Sequence, residues 1–117
     1  MIALHHVNLV VPPGLAEPTA EFWRSVFGVV DLPRQGRSGR PGAWLDAGTF
    51  EIHLSERDVT GHSDAHLAVA VPDVAAVRAA CLAAGAEWED ADALFGTGRG
   101  FTRDPGGNRI EVVALVD

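Results

Sequence analysis

Two stretches of the chain begin with histidine, continue as short and mostly apolar runs typical of a strand, and end at proline. They are H-V-N-L-V-V-P from His6 and H-L-A-V-A-V-P from His66, 60 residues later. Other features recur at nearly the same offset. Gly28 and Gly85, which each follow a helical pattern, are 57 residues apart, and the triplets I-H-L and I-E-V are 58 residues apart. A steady period predicts two copies of one structural module.

Each module is predicted to run strand, helix and then three strands. Alternating apolar residues indicate the strands, and apolar residues three or four apart indicate the helices. In the first module we predict strands at 2–11, 29–32, 43–47 and 50–55, a helix at 16–27, a mobile loop at 34–42 and a polar connection at 56–64. In the second we predict strands at 65–71, 86–89, 100–103 and 108–115, a helix at 73–84, a loop at 90–98 and a turn at 104–107. The expected fold is α+β: one domain spanning 1–117, with βαβββ modules at about 1–58 and 63–117.

Successive side chains of a strand point to opposite faces, so each predicted strand has two distinct faces. One face is apolar and suits packing under a helix. The other face carries small or polar groups, and His6, His53, His66 and Glu111 all fall on it. We therefore expect a mixed sheet that lines a cleft, with the helices on its opposite face.

Composition narrows the functional classes. The chain has 117 residues, 47% of them apolar, and a net charge of −7, which argues against nucleic acid as a partner. No apolar run is long enough to cross a membrane, and no leader pattern precedes the first strand. The single cysteine, Cys81, lies in a helical pattern and is expected to be a buried core residue. We expect a cytoplasmic protein in a reducing compartment.

The remaining histidines and the tryptophans have simpler interpretations. His5 is predicted to point away from His6 and to be exposed or structural, and His62 to lie solvated in a loop. The three tryptophans, Trp23, Trp44 and Trp88, are expected in the core. For Trp44 the alternative is stacking on a ligand.

Four stretches carry a resemblance to a known family. They are H-H-V-N-L-V-V at 5–11, F-W-R-S-V-F-G at 22–28, A-H-L-A-V-A-V-P at 65–72 and F-T-R-D-P-G-G-N-R-I-E-V-V at 101–113. Together they resemble the vicinal oxygen chelate superfamily, which includes glyoxalase I, fosfomycin-resistance transferases, methylmalonyl-CoA epimerase, extradiol dioxygenases and bleomycin-binding proteins. The resemblance extends over essentially the whole chain, and D-P-G-G-N-R-I-E is its most specific part.

The resemblance implies a site for one divalent metal ion with four protein ligands. The matching positions hold His6, His53, His66 and Glu111. Imidazoles with a carboxylate suit Zn, Ni, Fe or Mn. A lone strand histidine is seldom a ligand, but four such residues at matched repeat positions favour a metal site. Many relatives carry Glu or Gln where His53 stands, which leaves open whether His53 is a ligand or a base.

The resemblance also implies a homodimer with shared sites. Small two-module members commonly dimerise, so His6 and His53 of one chain would join His66 and Glu111 of the other. The alternative is a site closed within one monomer.

A divalent ion beside two vicinal oxygens of a small substrate stabilises an enediolate, as in glyoxalase- or epimerase-type lyases and isomerases. Glu111 and His53 are the candidate catalytic groups. The candidate substrate contacts are Asn8, Glu51, Ser55, Trp44 and Arg103, with Arg99 as an alternative holder of a substrate anion.

Three departures from family patterns narrow the chemistry. The chain lacks the tyrosine that extradiol dioxygenases usually place beside iron, and the lysine that fosfomycin transferases use on the phosphonate. It has Val10 near the position where glutathione-using glyoxalases carry arginine. The alternatives are a ring-cleaving dioxygenase, or a non-catalytic small-molecule or antibiotic-binding protein of the bleomycin-resistance type. The full ligand set argues against the binding protein, whose relatives usually lose those ligands.

Overall fold

Eight strands and two helices make up the described part of the chain. The computed structural model describes residues 1–36, 39–58, 63–94 and 97–115. The elements are β1 (His6–Val11), α1 (Ala16–Phe27), β2 (Val30–Leu32), β3 (Gly42–Asp46), β4 (Glu51–Glu56), β5 (His66–Val71), α2 (Val74–Ala83), β6 (Glu89–Leu94), β7 (Thr97–Arg103) and β8 (Arg109–Ala114). They fall into two compact units, Met1–Gly61 and His62–Asp117. The predicted α+β fold of two βαβββ modules is confirmed.

The first unit is a four-stranded mixed sheet with the order β1-β4-β3-β2. β1 runs parallel to β4, and the other neighbours are antiparallel. This register places both Asn8 and Trp44 directly opposite His53, one on each side of β4. Residues that are distant in sequence therefore meet on one face of the sheet.

The other face of this sheet forms the core of the first unit with α1. Helix α1 packs on β3 and β4, and the side chains of Trp23, Leu45, Ile52 and Leu54 are almost wholly buried there. Burying one large apolar side chain contributes about 1.5–3 kcal/mol, so each of these four side chains stabilises the unit. The helix ends as the sequence predicted, at Gly28, whose φ of 70° suits glycine.

Polar contacts attach both ends of α1 to the sheet. The backbone N–H of Ala16 donates to the Glu56 carboxylate at 3.2 Å, which replaces a local side-chain cap. Near the other end, Arg24 pairs with Asp31 of β2 at 2.8 Å and also contacts Glu17 and Glu21. The hydrogen bonds that Arg24 donates to Asp31 and then to Glu17 raise its pKa. The guanidinium thus stays charged and ties helix to strand.

The second unit repeats this arrangement with the order β5-β8-β7-β6 and a parallel β5–β8 pair. The Asp73 side chain caps α2 by accepting from the Ala76 N–H at 3.1 Å. The helix packs on β7 and β8, and Cys81, Ile110 and Val112 are fully buried. The prediction that Cys81 is a buried core residue is confirmed.

The largest difference from prediction concerns residues 86–98 of the second module. β6 covers Glu89–Leu94 instead of 86–89, and β7 begins at Thr97, so most of the predicted loop at 90–98 is strand. The sequence E-D-A-D-A-L has low strand propensity, but an edge strand needs only one partner, and β7 supplies it. Residues 95–96 lie outside the described part of the chain.

Smaller differences concern ends of elements and the tryptophans. β1 begins at His6, not at residue 2, and parts of two predicted connections, 37–38 and 59–62 with His62, lie outside the described residues. Trp23 is in the core as expected, but Trp44 and Trp88 are only half-buried. Within the described ranges, no helix has the length and apolar character required to cross a bilayer.

Candidate functional site

Three aromatic rings stack on the polar face of the first sheet. The His53 ring lies between His6 and Trp44, with centroid distances of 4.1 Å and 4.2 Å and interplanar angles of 14° and 5°. Because it is covered on both sides, His53 is only 8% exposed, although it faces away from the helix. The ring stack covers one face of Trp44 and fixes the plane of the His53 imidazole.

Hydrogen bonds indicate which ring nitrogens of His53 and His6 carry a hydrogen. Nε2 of His53 lies 2.9 Å from Oε1 of Glu51, two residues earlier on the same strand. A carboxylate only accepts, so Nε2 donates, and His53 would bind an ion or take a proton through Nδ1. Nδ1 of His6 lies 2.9 Å from Nδ1 of His5, so one of the two nitrogens carries the shared hydrogen.

His5 therefore differs in part from its prediction. It is exposed, as expected, but its ring contacts His6 edge-on instead of pointing to the opposite face. The reason is that His5 precedes β1, so the alternation of the strand does not govern its side chain. When His6 donates to His5, its Nε2 lone pair is available to a metal ion.

Asn8 and Ser55 lie on the same face as His53. The Ser55 hydroxyl donates to Oδ1 of Asn8 at 2.7 Å across the parallel β1–β4 pair. This bond orients the amide with Oδ1 toward Ser55, which leaves the NH₂ group of Asn8 available to a ligand on this face. The structure thus brings together all the first-module residues that the sequence singled out.

His66 and Glu111 meet on the corresponding face of the second sheet. Nε2 of His66 lies 3.0 Å from Oε1 of Glu111, and Nη1 of Arg99 lies 3.5 Å from Oε2. Each carboxylate oxygen thus has its own partner, which suits a residue that is only 8% exposed. The sequence predicted Arg99 only as an alternative group to bind a substrate anion. In the structure, Arg99 positions the Glu111 carboxylate.

The second nitrogen of His66 is held by the backbone. Nδ1 lies 2.9 Å from the carbonyl oxygen of Asp64, which can only accept, so Nδ1 carries the hydrogen. In the neutral ring, Nε2 then presents a lone pair to the Glu111 carboxylate. Two acceptors at 3.0 Å require a positive charge between them, either a proton or a cation. Metal-binding histidines commonly donate their other N–H to a backbone carbonyl in this way. The donor set therefore fits a divalent ion.

The tight turn between β7 and β8 determines the position of Glu111 on its strand. Asp104 is 4% exposed, and its Oδ1 accepts from the backbone N–H of Asn108 at 2.9 Å. The Gly107 N–H donates to the Asp104 carbonyl at 2.9 Å with a φ of 90°, a conformation that favours glycine. The D-P-G-G-N segment thus has a structural role, because it determines where β8 starts and on which face of the sheet Glu111 lies.

Sequence reasoning missed two residues beside this pair, Phe101 and Arg109. The Phe101 ring contacts His66 edge-on, with centroids 5.7 Å apart, and the Arg109 guanidinium lies 3.7 Å from the centroid of the same ring. The signal was present, because Arg109 is two residues before Glu111 and shares its face. Arg103, which the sequence did single out, lies at the same end of the sheet. Its guanidinium already donates to the Gly107 carbonyl at 2.8 Å and pairs with Glu87.

Each unit thus brings two of the four predicted ligands together, His6 with His53 and His66 with Glu111. Among residues 1–36, 39–58, 63–94 and 97–115, no group of three or more His, Cys, Asp or Glu side chains is arranged to hold a metal ion.

Comparison with solved structures shows the same fold in several bacterial proteins. A glyoxalase family protein from Bacillus anthracis is 27% identical, with 96% of this chain and 93% of that chain aligned at a TM-score of 0.84. The fosfomycin resistance protein FosX from Listeria monocytogenes, crystallised as a variant with Mn(II) and 1S,2S-dihydroxypropylphosphonic acid, is 18% identical, with coverages of 99% and 95% and a TM-score of 0.83. FosX from Mesorhizobium loti is 13% identical, with coverages of 99% and 95% and a TM-score of 0.78. At such identities the two FosX proteins show a shared fold.

Comparison with curated proteins gives no match. The family model of the glyoxalase-like domain, however, matches residues 10–113, which is most of the chain. The resemblance found in the sequence is thereby confirmed, and the chain belongs to the glyoxalase-like domain family of the vicinal oxygen chelate superfamily.

Proposed function

We propose that the protein is a divalent-metal-dependent enzyme of the glyoxalase type, a lyase or isomerase that acts on a small substrate with two vicinal oxygens. The observation that carries the proposal is the His66–Glu111 pair. The Asp64 carbonyl holds its histidine in one orientation, and Nε2 of His66 and Oε1 of Glu111 lie 3.0 Å apart, close enough to bind one ion together. The Mn(II) present in the FosX structure is consistent with a divalent ion in this fold.

The ion would be Zn, Ni, Fe or Mn and would take its ligands from His6, His53, His66 and Glu111. When bound, it would supply Lewis-acid stabilisation of the negative charge that develops on a substrate oxygen. The His66 and Glu111 orientations are already fixed by Asp64 and Arg99, so little ordering would accompany binding.

Proton transfer would fall to His53 and Glu111. The Glu51 carboxylate accepts the Nε2 hydrogen of His53, so a His53 ring that is not a metal ligand would take the substrate proton at Nδ1. The stack between His6 and Trp44 keeps the ring in one plane as the proton moves. Glu111 would act as a base after one of its oxygens separates from its present partner, His66 or Arg99.

The substrate contacts that we propose are Asn8, Ser55, Trp44, Glu51 and Arg103. Asn8 offers its amide N–H groups to a substrate oxygen, because Ser55 holds its Oδ1. Arg103 lines a 210 Å³ cavity formed mainly by residues of β6, β7 and β8, which would admit part of a substrate.

Proton exchange tests the proposed reaction directly. The purified protein is analysed for metal, and the chain loaded with Zn, Ni, Fe or Mn is incubated in D₂O with hydroxy ketones, hydroxy aldehydes and α-keto aldehyde adducts. Loss of the C–H signal beside the vicinal oxygens by NMR is the expected result, since every reaction of this type begins by removing that proton. A His53→Gln variant that exchanges at the wild-type rate would exclude His53 as the base.

The alternatives give different outcomes in the same experiment. A binding protein would retain a ligand without exchanging its proton, and a chain that takes up no ion at all would overturn the proposal. A ring-cleaving dioxygenase would consume oxygen with catechols in the presence of Fe and show no exchange.

We also propose a homodimer in which each ion is shared between two chains. Mixing a His6→Ala chain with a Glu111→Ala chain tests this. If half-sites of different chains combine, the mixed dimer contains one intact site and regains part of the metal uptake that each variant lacks. If each chain closes its own site, mixing restores nothing.

A further inference from the structure

Arg109 has an aromatic partner but no acidic one. Its guanidinium carbon lies 3.7 Å from the centroid of Phe101, and the residue is half-buried. Across the described ranges of the chain, Arg109 forms no ion pair and no side-chain hydrogen bond. Stacking on an aromatic ring holds a guanidinium in place without using its N–H groups, so the donors at its edge stay available.

The two neighbouring arginines differ from Arg109 in this respect. Arg99 pairs with Glu111 at 3.5 Å and donates to the Asp92 carbonyl at 3.1 Å. Arg103 is engaged with a carboxylate and a backbone carbonyl, as described above. Of the three, Arg109 is the one whose charge the surrounding carboxylates leave unmatched.

The position of Arg109 relates it to the candidate metal ligands. It lies directly opposite His66 in the parallel β5–β8 pair, and Phe101 lies directly opposite Glu111 in the β7–β8 pair. Same-face neighbours on a strand are about 7 Å apart, so the guanidinium and the Glu111 carboxylate begin from backbone positions separated by that distance. The Phe101 ring contacts both His66 and Arg109.

Arg109 and Phe101 also line a small cavity of 210 Å³, together with Glu87, Glu89, Thr102 and Arg103. Pockets for drug-sized ligands are usually larger than about 300 Å³, so this one suits a group of a few atoms. Glu87 is already paired with Arg103. Glu89 is exposed, and its charge opposes an anion without closing the cavity.

We propose that Arg109, stacked on Phe101, binds an oxyanion of the substrate, a carboxylate or a phosphoryl or phosphonyl group. A guanidinium presents paired N–H donors that match the spacing of oxyanion oxygens. The substrate class is then a short acid that carries an oxyanion in addition to its vicinal oxygens. That the anion belongs to the substrate rests on the proposed function; that Arg109 binds an oxyanion does not.

Anion titration of the metal-free full chain tests the assignment. ¹⁵N-labelled protein is titrated with acetate, inorganic phosphate and methylphosphonate, and the side-chain Nε–Hε signals of the arginines are followed by NMR. At least one anion is expected to shift the Arg109 signal in a saturable way. Saturation by acetate indicates a carboxylate, and saturation by phosphate or methylphosphonate indicates the phosphorus acids.

Variants separate the site from general charge. Arg109→Gln is expected to weaken binding about tenfold or more, as loss of a charge-assisted hydrogen bond predicts. Arg78→Gln, which removes the same charge from the exposed side of α2, should leave the affinity unchanged. Arg109→Lys keeps the positive charge but lacks the paired N–H donors of a guanidinium. Its anion affinity should lie between those of Arg109→Gln and Arg78→Gln. Glu89→Gln removes a like charge and should tighten binding by about twofold to fivefold.

Equal affinity in Arg109→Gln and Arg78→Gln would overturn the inference, and so would the absence of any saturable shift at Arg109. Because no metal is present, this result is independent of the proposed reaction. A chain that binds an anion at Arg109 but exchanges no substrate proton would refute the proposed function alone.

Discussion

The imidazole of His66 and the carboxylate of Glu111 face each other at 3.0 Å, although they are 45 residues apart in the sequence. A parallel strand pair brings them together: Glu111 lies opposite Ala68, the next same-face residue after His66. Small side chains at Ala68 and Ala70 leave the space over β5 open beside this pair, and both residues are exposed.

Replacement of His66 by alanine is expected to abolish metal uptake. Loss of even an outer-shell partner lowers metal affinity about 10–100-fold, so loss of a ligand should exceed that range. Arg99→Met, which removes the partner of the second Glu111 oxygen, should show the smaller effect. Metal content and the rise of Tm on metal addition measure both variants, with Arg78→Gln as the control. A His66→Ala protein with wild-type metal content would contradict the assignment.

Asp104→Ala is expected to destabilise the protein by about 1–3 kcal/mol, because the backbone N–H of Asn108 loses its buried acceptor. Asp46→Ala is the matched control in the first module, where the same kind of bond to the Gly48 N–H is exposed. That variant should lose less than about 1 kcal/mol. Urea unfolding measures both, and equal losses would show that the buried turn has no special importance.

Gly100→Ala is expected to destabilise the chain by about 1–3 kcal/mol through overpacking. A Cβ at this position would lie 2.2 Å from the indole of Trp88, which a hydrogen bond to Asp90 holds in place. Gly98→Ala, on the same strand, meets no atom within 4 Å and should be nearly neutral. Thermal unfolding of the two variants measures the difference. A Gly100→Ala protein as stable as Gly98→Ala would mean that the indole moves aside freely.

The buried thiol of Cys81 is expected to lower the free energy of unfolding at alkaline pH. Burial raises the pKa of its thiol, and a hydrogen bond with Thr102 only partly opposes this effect. The folded chain therefore holds the thiol proton more tightly than the unfolded chain, whose thiol titrates near pH ~8.5. This contribution to stability is complete below that pH and is lost as the pH rises through the folded-state pKa.

The free energy of unfolding of wild type and Cys81→Ala, measured at pH 7 and at pH 9.5, tests this. The wild type should lose more stability than the variant over this interval. Equal losses would show that the thiol titrates alike in both states. Thiol reagents should also modify Cys81 only after unfolding, since it is fully buried.

The sequence predicted the fold because two kinds of signal agreed. The repeat supplied the order of elements, and strand alternation placed His53 with Asn8 and Glu111 with His66 on shared faces. The α1 boundaries followed from the helical pattern and from Gly28, whose backbone conformation few other residues adopt.

What the sequence did not predict depends on contacts between strands. β6 was misplaced because its strand character comes from pairing with β7 and not from its own residues. The stacking of Arg109 on Phe101 joins two strands across a turn, and no local pattern reports it. The contact of His5 with His6 was missed because His5 lies just outside the strand whose alternation was used.

The turn between β7 and β8 imposes a limit on how relatives of this chain can vary. β8 is hydrogen-bonded on both sides, parallel to β5 and antiparallel to β7. Insertion or deletion of a single residue between Asp104 and Arg109 would shift β8 by one position and turn every one of its side chains to the opposite face. Glu111 and Arg109 would then enter the core, and Ile110 and Val112 would face solvent. This segment can change in composition more readily than in length.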